Sequence, residues 1–74
     1  MSALVRMDQT GHTMLAQWSA EDRGAVEAAR SALHAELERG YLAVASDPDG
    51  TATAVRELPL DAELVILRRP LAGG

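Results

Sequence analysis

Two reactive side-chain types are missing from this chain, and one backbone feature stands out. There is no cysteine, which removes disulfides, thiolate nucleophiles and thiolate metal sites together. The two histidines, His12 and His34, are too far apart in sequence to suggest a metal pair. His34 also falls on the polar stripe of a helical segment. Asp47, Asp49 and Asp61 lack the spacing of a calcium loop, and turn chemistry accounts for the first two. Ser19 has no His–Asp constellation to activate it and reads as a helix cap. No glycine-rich phosphate loop is present. The chain is therefore not expected to be an enzyme, to bind a metal or to hold a cofactor. What remains is Gly73-Gly74. Glycine averages about 7% of residues, so two in succession at a terminus arise by chance in roughly 0.5% of chains. Such an end leaves its acyl carbon unhindered and lets the backbone run extended. Arg68 and Arg69 stand just before it, and Leu71 within it.

The elements that hold out this end must come from 74 residues. That is one domain, which buries only roughly 60% of its unfolded surface, so a deep substrate cleft is hard to build. The composition is globular, 47% hydrophobic and 24% charged. Phe is absent, so Leu, Val and Ala must form the core. The net charge of −4 argues against nucleic acid, which needs clustered cations, and against an anionic membrane surface. No segment approaches the ~20 apolar residues of a membrane span, and Met1 to Asp8 lacks the long apolar stretch of a signal peptide. The expected compartment is the cytoplasm. Lysine, the other missing type, leaves Arg as the whole of the seven cations. Apart from its α-amine, the protein offers no amine on which copies of itself could be chained.

Ala3 to Asp8 alternates, with Ala3, Val5 and Met7 on one side and Leu4, Arg6 and Asp8 on the other, a strand signal. Gln9-Thr10-Gly11-His12 supplies a turn. Thr13 to Trp18 alternates again, with Met14, Ala16 and Trp18 on one face, completing a hairpin. Ser19 and Asp22 resemble a capping box, with Asp in place of Glu. From Ala20 to Arg39 the pattern is helical. Val26, Ala29, Leu33 and Leu37 form the apolar stripe. Arg23, Glu27, Arg30, His34 and Glu38 form the polar one, with Glu27 expected to pair with Arg23. Gly40 sits where a left-handed residue ends a helix. Tyr41 to Ser46 reads as a strand, Asp47-Pro48-Asp49-Gly50 as a turn, and Thr51 to Glu57 as a further strand. After an interruption at Leu58-Pro59-Leu60-Asp61-Ala62, Glu63 to Arg69 is the last and most hydrophobic strand. Its Leu64-Val65-Ile66-Leu67 run suits a central strand covered on both faces. Pro70 then stops sheet pairing. The expected fold class is α+β: a sheet of four to five strands, order ββαβββ, with one helix on one face. Residues 1–69 form the domain and 70–74 a flexible tail.

This order, ending in Val65-Ile66-Leu67-Arg68-Arg69-Pro70-Leu71-Ala72-Gly73-Gly74, resembles the ubiquitin-like β-grasp family across the whole chain. The ending matches the ubiquitin pattern of apolar strand, Leu and Arg, then Gly-Gly. The stretches Thr10-Gly11-His12-Thr13, Gly40-Tyr41-Leu42-Ala43 and Pro70-Leu71-Ala72-Gly73-Gly74 are similar to small bacterial ubiquitin-like proteins. The chain departs from ubiquitin in two places. The connection at 58–62 is much shorter than the one that carries ubiquitin's last strand back to the sheet centre, and Pro70 stiffens the start of the tail. Either Thr51 to Glu57 is a short strand whose second half joins the crossing, or the last three strands form a meander.

The resemblance implies a protein modifier. A partner adenylating enzyme would use ATP to activate Gly74, its channel admitting Gly73-Gly74 because no side chain obstructs it. A conjugating enzyme would carry the acyl group on its cysteine, and a protease would reverse the linkage. Arg68 and Arg69 would meet acidic residues of the activating enzyme, and Leu71 would anchor in its channel. Leu4, Leu42, Val44 and Ile66 would form an apolar patch for partners, or else simply be core. Two alternatives stay open: a sulfur carrier bearing a thiocarboxylate on Gly74, and a non-covalent interaction module with an inert tail.

Overall fold

The computed structural model describes residues 1–47 and 49–69. Its elements are β1 (Ser2–Asp8), β2 (Gly11–Trp18), α1 (Arg23–Glu38), β3 (Leu42–Ser46), β4 (Ala52–Val55) and β5 (Leu64–Arg68). The strands form one mixed sheet in the order β2-β1-β5-β3-β4. Both hairpins are antiparallel, while β5 lies between them, parallel to β1 and antiparallel to β3. The expected α+β class and ββαβββ order hold.

The alternation of side chains puts one residue set under the helix and the other on the opposite face. Leu4, Val65 and Leu67, each fully buried, join Ala43 and Ala45 on the helix side. Trp18, Val26, Ala29, Leu33 and Tyr41 join that core. The indole N–H of Trp18 meets no acceptor among the described residues. Among the described residues the expected double coverage of the last strand is not found. Only the helix side of β5 is sealed, and Leu64 and Ile66 on its other face are half-buried.

The meander is excluded, because β5 occupies the sheet centre. The crossing is possible because β4 stops at Val55, leaving Arg56 and Glu57 to travel with the connection. Leu58 and Ala62 bury into the core and pin this connection at both ends. Between them the Ala62 amide donates to the Pro59 carbonyl at 3.2 Å.

The helix begins three residues later than its composition suggests, at Arg23. Its cap is Asp22, whose Oδ1 accepts from the Ala25 amide at 3.1 Å, and not Ser19. A carboxylate accepts such bonds more strongly than a hydroxyl. Ser19 instead donates its hydroxyl to Glu21 at 2.6 Å, and its carbonyl accepts from the Asp22 amide in a preceding turn. The helix ends as expected. Gly40, at φ +98°, lets its own amide reach the Leu37 carbonyl and the Tyr41 amide reach that of Glu36, at 3.0 and 3.1 Å. This double closure needs a left-handed residue, which glycine supplies without strain.

One expected pairing and the course of the apolar stripe change. Glu27 bonds Arg30 at 3.1 Å, one turn on, and not Arg23. The apolar stripe continues into Glu36, which is buried, while Leu37 is half-buried. Glu36 is tolerated there because two arginines neutralise it: Arg6 of β1 at 3.3 Å and Arg39 at 3.1 Å. Unpaired, a buried carboxylate would be strongly unfavourable.

Candidate functional site: the open sheet face and the end of the last strand

The face opposite α1 is built by residues that the strand registers align into rows. Met14, Val5, Ile66, Val44 and Ala54 form a row across all five strands. Beside it, towards the C-terminal end of β5, lie His12, Met7, Arg68 and Leu42. Strands spaced about 4.8 Å apart make this belt roughly 20 Å wide. Its exposure is high for apolar side chains: Met14 55%, Leu42 49% and Met7 39%. An exposed row of apolar side chains on one sheet face is a candidate interaction surface.

Met14 reaches this face through a break in register. The pairing of β1 with β2 shifts between Leu4 and Val5, so that Leu4 faces Ala16 and Val5 faces Met14. Leu15 is the extra residue of a β-bulge. The expected single face of Met14, Ala16 and Trp18 is thereby split: Trp18 is buried in the core, and Met14 is exposed on the opposite side. Of the four residues expected in an apolar patch, the structure brings together Leu42, Val44 and Ile66. Leu4 is not among them, because even-numbered residues of β1 face the helix.

The last strand ends at this face. Arg68 is exposed and paired in register with Leu42. Arg69 follows on the other side, its guanidinium 5.4 Å from the centroid of the Tyr41 ring, within range of a cation–π contact. The two arginines thus do not act as one cluster. Met7, Asp8, Gln9, Thr10, Tyr41 and Arg69 line a cleft of about 430 Å³ beside the end of β5. On its wall, the Thr10 hydroxyl and amide both donate to Asp8 Oδ1, at 2.6 and 2.9 Å, holding the Asp8 carboxyl below the usual carboxylate range. Pro70, Leu71, Ala72, Gly73 and Gly74 lie outside the described residues, so the expected tail and its three candidate site residues have no structural account.

Sequence reasoning missed Glu36, Tyr41 and the exposure of Met7 and Met14. Glu36 had a signal: it lies three residues beyond Leu33 on the buried stripe, and Arg6 alternates with Leu4 on the strand beneath it. Tyr41 and Arg69 are remote in sequence, and only the sheet joins them. Among the described residues no group of three or more His, Cys, Asp or Glu side chains could hold a metal ion. No helix of the described residues is long and apolar enough to cross a membrane. Comparison of the chain with protein-family models, with curated proteins and with solved structures finds no match.

Proposed function

We propose that the chain is a ubiquitin-like modifier of β-grasp architecture that works through the carboxyl group of Gly74. That carboxyl is either encoded as the terminus or exposed by a processing protease. The observation that carries this reading is the central strand β5: it lies parallel to β1, precedes Gly73-Gly74 in the sequence and ends in the exposed Arg68 beside an open apolar face.

In this reading the carboxylate of Gly74 attacks the α-phosphate of ATP in a partner enzyme, releasing pyrophosphate and forming an acyl-adenylate. A partner thiolate then attacks the acyl carbon and AMP leaves. The sulfur must come from the partner, because the chain has no cysteine. A target amine finally displaces the thiolate to leave an amide. The chain contributes an unhindered acyl end, cations beside it and a docking face of Met7, Met14, Leu42, Val44 and Ile66. A second reading, a sulfur carrier in which sulfide displaces AMP to give a thiocarboxylate, is favoured by one observation. The lysine-free sequence offers no side-chain amine on which copies of itself could be chained.

The test is expression in the native host of the chain tagged at its N-terminus, with and without Gly73-Gly74. Heavier adducts that survive reduction and denaturation, and vanish on deletion, support the modifier. A function unchanged by the deletion would leave an interaction module with an inert end.

A further inference from the structure

A second surface lies on the helix side, away from the open face. Ala20, Arg23, Val26, Glu27, Arg30 and Leu60 line a cleft of about 520 Å³ between the first turns of α1 and the connection to β5. Its floor is apolar. Val26 belongs to the core, while Leu60 is 41% exposed although its neighbours Leu58 and Ala62 are buried. Leu60 is thus not needed to pin the connection. Its exposure leaves an apolar shelf beside Val26 that water covers poorly.

The walls carry charge opposite to that of the whole protein. The chain has eleven acidic residues and seven cations, yet this cleft has two arginines and one glutamate. Glu27 already engages Arg30 at 3.1 Å. Arg23 makes no ion pair among the described residues. It stands at the first position of the helix, where Asp22 accepts from the Ala25 amide; a guanidinium carries no acceptor and takes no part in that cap. Arg23 and Arg30 are seven residues apart, two turns along one helical face, with the Val26 and Leu60 shelf beside them.

We infer that this cleft docks a protein partner through a short acidic segment with a single branched apolar residue. The apolar side chain sits on Val26 and Leu60. One partner carboxylate pairs with Arg23, and a second shares Arg30 with Glu27. Arginine suits such contacts because its planar fork meets a carboxylate in two bonds. This inference does not depend on the reading of Gly74, and a partner held here leaves the open face free.

The experiment is an amide-resolved NMR titration of the full chain with the blocked peptide Glu-Asp-Glu-Leu-Glu-Asp-Glu as probe. Saturable shifts at Ala20, Arg23, Val26 and Leu60 are expected, weakening as salt rises. Arg23→Glu should lower affinity at least about tenfold, because repulsion replaces attraction. Leu60→Ser should lower it several-fold while leaving the spectrum of a folded chain. A peptide with Lys in place of each acid should not bind. Shifts centred on Met7, Met14 and Leu42, affinity unchanged in Arg23→Glu, equal binding of the Lys peptide, or no saturable binding would each overturn the proposal.

Discussion

The two faces of the sheet are made by the same strands from alternate residues, yet they do different work. Under the helix, Leu4, Val65 and Leu67 are fully buried. On the other face Val5, Ile66, Val44, Met14 and Leu42 are equally apolar but have no covering layer among the described residues. Hydrophobic side chains on the first face stabilise the fold by leaving water. On the second they remain partly wet and contribute less to stability. Apolar character alone does not separate core from interface; which elements lie over the residue decides it.

Substitution of neighbours on β5 should expose the contrast most strongly. Leu67→Ala leaves a cavity in a sealed core and should cost about 2–5 kcal/mol. In a domain of this size that is enough to unfold much of the population. Ile66→Ala, one residue away on the open face, should cost no more than roughly 1–2 kcal/mol. Urea midpoints for the two variants test this, and equal losses would mean that both faces are sealed.

Next in size is Glu36→Ala. It leaves the Arg6 guanidinium, whose buried Nε lacks a hydrogen-bond partner among the described residues, without the helix carboxylate that faces it. The expected loss is roughly 1–3 kcal/mol. The double variant Arg6→Leu with Glu36→Leu should recover much of it, since an apolar pair of similar shape can replace a buried ion pair. Thermal denaturation of the single and double variants measures the coupling.

Much of this was legible in the sequence. The single helix, its Gly40 stop and the strands around the Asp47–Gly50 turn follow from periodicity and turn chemistry. Three features were not legible, each for a physical reason. The bulge at Leu15 inserts one residue without changing the strand's composition, and thereby moves Met14 to the other face. The burial of Glu36 left a signal in the Leu33 stripe, but its pairing did not: it joins residues thirty apart, and only sheet and helix together bring Arg6 to Glu36. The crossing to the sheet centre depended on where β4 ends, and Thr51 to Glu57 is strand-forming throughout. The end of β5 was legible as a strand, but the split between Arg68 beside Leu42 and Arg69 over Tyr41 belongs to the fold.

Smaller effects sharpen the comparison further. Met14→Gln should change stability by no more than about 0.5 kcal/mol, as expected of an exposed position. It should nevertheless weaken any partner that covers the open face, read as altered recovery of cross-linked complexes with the stability unchanged. The smallest effect concerns Asp8. Its carboxyl is held low by Thr10 first, and then by the nearby Arg6. A carboxyl with a lowered folded-state pKa stabilises the fold above its ordinary value. That contribution is lost as pH falls through the lowered value. Thr10→Val should therefore flatten the acid side of the stability profile below about pH 4. Thermal melts at a series of pH values check this, and an unchanged profile would contradict it.

The central claim concerns Gly74, and intact-mass spectrometry of the protein from its own host tests it most directly. The account predicts Gly74 in amide linkage to other proteins, with a sulfur-for-oxygen mass gain on the free form if the carrier reading holds instead. Protein recovered only as the free carboxylate, from cells in which its function is active, would contradict both.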